Sequence, residues 1–121
     1  MKTGMAALCA LLFCTACNLF DNYGYPDRVS FTAEGGSKSV KGGHGFYQIS
    51  ITDYNGDHGN SETTEEEGLS TTTRDWLTVS APKGSSELTF TAEPNPTGRS
   101  RKLYVAVWVD NSFADIKVTQ Q

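Results

Sequence analysis

From residue 28 onward the chain alternates. Val29, Phe31 and Ala33 stand at every second position against Ser30 and Thr32, and Gly35-Gly36 breaks the run before residues 37–41. Apolar residues at period two place one face of a strand in a core and the other in water. The pattern returns after Gly42-Gly43-His44-Gly45, where Tyr47, Ile49 and Ile51 share one face against Gln48 and Ser50, which assigns Tyr47 to the core. Leu77 and Val79 repeat it, as do Leu88, Phe90 and Ala92 after the turn at Lys83-Gly84. Glu93-Pro94-Asn95-Pro96-Thr97-Gly98 is a turn in which neither proline removes a ladder hydrogen bond. The last pair is the clearest: Leu103, Val105, Val107 and Val109 alternate with Tyr104, Ala106 and Trp108, and Asp110-Asn111-Ser112 leads back into Ala114, Ile116 and Val118. About seven short strands, frequent turns and no helical period predict an all-β sandwich.

Two places resist the pattern. Parity with Leu77 and Val79 turns Trp76 outward, but buried aromatic area dominates a small core, and the expectation here is that Trp76 closes one end of it. Residues 53–74 hold almost nothing apolar besides Tyr54 and Leu69, so they read as a long exposed loop, with Glu65-Glu66-Glu67 keeping it in water. Within it Asp53, Asn55 and Asp57 space oxygen ligands as a calcium loop does. The match then fails, because His58 stands where glycine is needed and Thr64 where a bidentate glutamate is needed. A solvated loop without metal is expected.

The first residues have a different character. Lys2 precedes an apolar run over residues 6–13, which is long enough for a secretory leader and too short for the roughly 20 residues of a membrane span. Thr15-Ala16-Cys17 resembles the lipobox of bacterial lipoproteins, with Cys14 where leucine is usual. That resemblance implies a leader over residues 1–16, lipid on Cys17, a short tether over residues 17–27 and one folded domain over residues 28–121. It also implies a protein anchored at the outer membrane or cell surface after export. Cys9, Cys14 and Cys17 are the three cysteines, so the domain is expected to hold without a disulfide.

The formal charge of −4, which becomes −5 without Lys2, supplies no basic stripe for a phosphate backbone, and nucleic acid is not an expected partner. Catalysis is not expected either. His44 and His58 lie in Gly-rich turns, no Gly-x-Ser-x-Gly elbow occurs, and most acids fall in loops rather than across a rigid cleft. No cofactor is implied. A binding surface is the better expectation, because the alternation that buries Leu103, Val105 and Val107 sends Tyr104 and Trp108 to the opposite face. If Val109 opposes Ala114, Trp108 faces Asp115, Ala106 faces Lys117, and Phe113 lies near the hairpin end. Rings beside polar groups suit a sugar, whose CH faces stack while its hydroxyls need donors and acceptors.

Four segments in order, Phe31-Thr32-Ala33-Glu34-Gly35-Gly36, Asp75-Trp76-Leu77-Thr78-Val79, Asn95-Pro96-Thr97-Gly98-Arg99-Ser100-Arg101 and Ile116-Lys117-Val118-Thr119-Gln120, resemble the BACON family. The name abbreviates Bacteroidetes-associated carbohydrate-binding often N-terminal. The resemblance implies an immunoglobulin-like sandwich in an envelope or secreted protein, with a glycan, mucin among them, as ligand. Tyr47 stands near where many members carry a tryptophan, and the acidic segment is longer than usual. A second class of function is a spacer, surface-coat or adhesin-type subunit whose partners are envelope proteins, and saturable glycan binding separates the two.

Overall fold

The computed structural model describes residues 22–53 and 61–121. Nine strands follow one another: β1 (Arg28–Phe31), β2 (Gly36–Lys41), β3 (Gln48–Thr52), β4 (Glu62–Glu66), β5 (Leu69–Arg74), β6 (Leu77–Pro82), β7 (Glu87–Ala92), β8 (Arg101–Trp108) and β9 (Phe113–Gln120). They form a four-stranded sheet in the order β1-β9-β8-β3 and a five-stranded sheet in the order β2-β7-β6-β5-β4. All pairings are antiparallel except β1 with β9. The two sheets make an all-β sandwich, as the alternation predicts.

The core is the set of alternating positions. Ile49 and Ile51 of β3, Leu77 and Val79 of β6, Leu88 and Phe90 of β7, Leu103, Val105 and Val107 of β8 and Ile116 and Val118 of β9 are all buried. Each such side chain contributes about 1.5–3 kcal/mol of transfer free energy, so this interior needs no covalent staple among the described residues.

Three expectations change. Residues 53–74 are not all loop, since β4 and β5 form a hairpin through Glu67 (φ 53°) and Gly68 (φ 83°), the two left-handed positions of a tight hairpin turn. Sequence reading misses it because the face this hairpin turns toward β3 carries polar side chains, Thr63, Glu65, Ser70 and Thr72; Thr63 and Thr72 hydrogen-bond to each other at 2.9 Å, and Thr72 is buried. Arg74 fastens the hairpin to the other sheet, donating from Nη1 to the Ile51 carbonyl at 3.4 Å and pairing with Asp53 at 3.3 Å. The strand count is therefore nine rather than seven among the described residues.

Second, Tyr47 is 55 % exposed rather than core. It precedes β3, so the alternation of Ile49 and Ile51 does not extend to it. Third, the stretch expected as tether is docked over its last six residues. The Asn22 side chain accepts from the Asp115 amide at 2.8 Å and donates to the Asp115 carbonyl at 3.0 Å, continuing the β9 ladder beyond the end of β1. Tyr25 is buried, its hydroxyl donates to the His44 carbonyl at 2.6 Å, and burial pushes that hydroxyl above the usual tyrosine range. A Cβ on Gly42 would lie 2.3 Å from the Tyr25 ring, so this close approach requires glycine.

Candidate functional site

The outer face of the four-stranded sheet carries the predicted surface residues. Along β8 the outward positions are Lys102, Tyr104, Ala106 and Trp108, and along β9 they are Phe113, Asp115, Lys117 and Thr119. Trp108 pairs directly with Phe113, their ring centroids 4.7 Å apart and tilted by 44°, an aromatic contact worth about 0.5–1.5 kcal/mol beyond its buried area. Phe113 is 42 % exposed and Trp108 half-buried, so the pair offers ring surface to solvent.

The expected register is off by two residues. Ala106 faces Asp115 and Tyr104 faces Lys117, because Val109 leaves the ladder and its amide closes the turn on the Ser112 carbonyl at 3.1 Å. A two-residue slip preserves which side chains share a face. Tyr104, Trp108, Phe113, Asp115 and Lys117 are thus brought onto one surface, with Gln48, Ser50 and Thr52 of β3 beside them. Partial burial raises the Asp115 carboxyl above the ordinary carboxylate value, because desolvation disfavours its ionised form relative to water.

The remaining candidates are not brought together. Asp53 is paired with Arg74, whereas Asn55 and Asp57 of the candidate calcium loop lie outside the described residues, as does Cys17. Among the described residues no group of three or more His, Cys, Asp or Glu side chains is placed to hold a metal ion.

The opposite end of the sandwich is a polar lock. Gln120 is buried; its Nε2 donates to the carbonyls of Thr32 at 3.1 Å and Glu93 at 2.7 Å, and its Oε1 accepts from Arg101 Nε at 2.8 Å. Asn95 Nδ2 donates to the carbonyls of Arg99 at 2.7 Å and Gln121 at 3.0 Å, while Asn95 Oδ1 accepts from the Thr97 amide and hydroxyl. The Arg101 guanidinium lies 4.8 Å from the Trp76 ring centroid. Trp76, Asn95, Arg101 and Gln120 all belong to the segments that carry the family resemblance, and here each holds the connection between β7 and β8 in place.

The fold and this lock define a small sandwich domain with its motif residues at one end and its aromatic surface toward the other. The chain belongs to the BACON family, whose model, "Putative binding domain, N-terminal", matches residues 61–121, from the start of the β4–β5 hairpin to the end of the chain. Among solved structures it is similar to the NMR structure of a protein from Bacteroides thetaiotaomicron, with 19 % identity over 81 % of this chain and 82 % of that one and a TM-score of 0.49. A search of curated proteins finds no match.

Proposed function

We propose that this protein is a lipid-anchored module of the cell envelope that binds a glycan, without catalysis, through the outer face of the β1-β9-β8-β3 sheet. The observation that carries the reading is the pair Trp108 and Phe113, which presents ring surface beside Asp115, Lys117, Tyr104 and Gln48. A family described as a binding domain supports some ligand; the aromatic and polar mixture favours a sugar. The test is a glycan array followed by titration of the parent and of Trp108→Ala. The variant is expected to lose binding at least tenfold while its stability falls by less than about 2 kcal/mol, since the ring is only half-buried. Saturable binding that survives intact in a folded Trp108→Ala, Phe113→Ala double variant would move the site elsewhere, and a parent that binds no glycan would favour the spacer or adhesin-type reading.

Anchoring belongs to the same proposal. The small residues Thr15 and Ala16 after an apolar run support lipid on Cys17. Cys17→Ser is expected to release the protein from membranes or to block its processing. A variant of mature length that still sediments with membranes would refute the anchor.

A further inference from the structure

The flank between β3 and the β4–β5 hairpin, where the two sheets part, contains a groove of about 500 Å³ lined by Tyr47, Gln48, Ile49, Thr63, Glu65 and Ser70. That volume lies within the range of small-ligand sites. We infer that this groove is a second sugar subsite for a neutral oligosaccharide that continues from the aromatic face across the β3 edge; the inference rests on the glycan-binding reading above.

Ser70 points to a ligand. It is 3 % exposed, lines the groove, and its hydroxyl has no hydrogen-bond partner among the described residues. An unpaired buried hydroxyl is costly in a folded protein and calls for an explanation, which a ligand hydroxyl would supply. Its neighbour Thr72, also an inward position of β5, is by contrast satisfied by Thr63.

On the facing wall stands Tyr47, exposed but held in place. Its hydroxyl donates to the Asp110 carbonyl at 2.9 Å and its amide to the Trp108 carbonyl at 2.9 Å. A ring fixed at both ends loses little freedom when a sugar stacks on it. Glu65, bridged to Lys83 at 3.1 Å, adds acceptors at the rim.

Gln48 joins the two places. It is the register partner of Trp108, which is in turn the partner of Phe113, and it also lines the groove. With strands about 4.8 Å apart, the row Phe113, Trp108, Gln48 spans about 10 Å, so a short oligosaccharide reaches from the ring pair into the groove. Charge bears on the ligand class: none of the six lining residues is a cation, and Lys83 at the rim is bridged to Glu65, so a carboxylate or sulfate on a glycan would find no cationic partner in the groove lining.

The experiment uses cello-, malto- and N-acetyllactosamine oligosaccharides of two to six units, with sialylated lactosamine as the acidic comparison, titrated against the parent, Ser70→Ala, Tyr47→Ala and Trp108→Ala. The parent is expected to bind the longest neutral ligand best. Ser70→Ala and Tyr47→Ala should each weaken it about tenfold and leave the disaccharide, held on Trp108 and Phe113, within about twofold. Ser70→Ala should keep the parent's Tm, because the hydroxyl it removes bonds to no described protein group. Parent-like hexasaccharide binding by both groove variants overturns the subsite and leaves the outer-face reading standing. No binding by the parent overturns both, preference for the sialylated ligand overturns the neutral assignment, and a lower Tm for Ser70→Ala makes that hydroxyl structural.

Discussion

Trp76→Ala should lower the unfolding free energy by about 3–5 kcal/mol, the usual cost of truncating a buried tryptophan. The indole is 8 % exposed although it sits in the two-residue connection between β5 and β6, where Asp75 takes a left-handed φ of 52° and turns the chain. Its carbonyl accepts from the Glu93 amide at 2.9 Å, so the backbone is anchored and the vacated volume does not readily collapse. The Arg101 guanidinium would lose the ring beneath it as well. Denaturant titration should show a lower midpoint at an unchanged slope, and Trp76→Phe should recover more than half of the loss. A Trp76→Ala midpoint within error of the parent would mean that the ring closes no core.

Gln120→Ala should cost about 3–4 kcal/mol through a different mechanism. The side chain is 1 % exposed and makes three hydrogen bonds; its removal takes one donor each from the carbonyls of Thr32 and Glu93, which keep the Gly35 amide and Arg101 Nη2, and leaves Arg101 Nε without its acceptor. Each lost hydrogen bond costs about 0.5–1.5 kcal/mol net, and a buried partner left unpaired costs about 1–3 kcal/mol. Gln120→Leu separates the contributions, because it fills the space without restoring a bond. Loss of stability in both variants, measured by thermal and denaturant unfolding, assigns the effect to hydrogen bonding. A Leu variant as stable as the parent would assign it to volume.

Alternation made most of the sandwich legible in the sequence. Leu103, Val105 and Val107 set against Tyr104, Ala106 and Trp108 determine which rings face outward, and that parity survives the two-residue error in hairpin register. The errors have physical causes. β4 and β5 are invisible to an apolar pattern because their inward side chains are Thr63, Glu65, Ser70 and Thr72; the signal present is a density of β-branched threonines on both sides of Gly68. The period of Ile49 and Ile51 points Tyr47 inward only if it extends one residue before the start of β3, which it does not. The docking of Asn22 rests on bonds to Asp115, 93 positions away, which no local pattern encodes. The groove was illegible for the same reason as the hairpin, since one of its walls is that hairpin.

The parallel pairing of the first strand with the last has a mechanical consequence. Arg28 to Phe31 lie alongside Lys117 to Gln120 in matching order, so the chain enters near one end of the sandwich and leaves at the other. Tension between the two termini therefore runs along both strands and loads their hydrogen bonds in shear, all together, instead of peeling them one at a time as it would across an antiparallel terminal pair. Rupture then requires several bonds to fail in one step, and the rate of forced unfolding, which governs survival under load, is kept low. A domain held at its N-terminus and pulled through its distal end would carry that load on a seam that yields only as a unit.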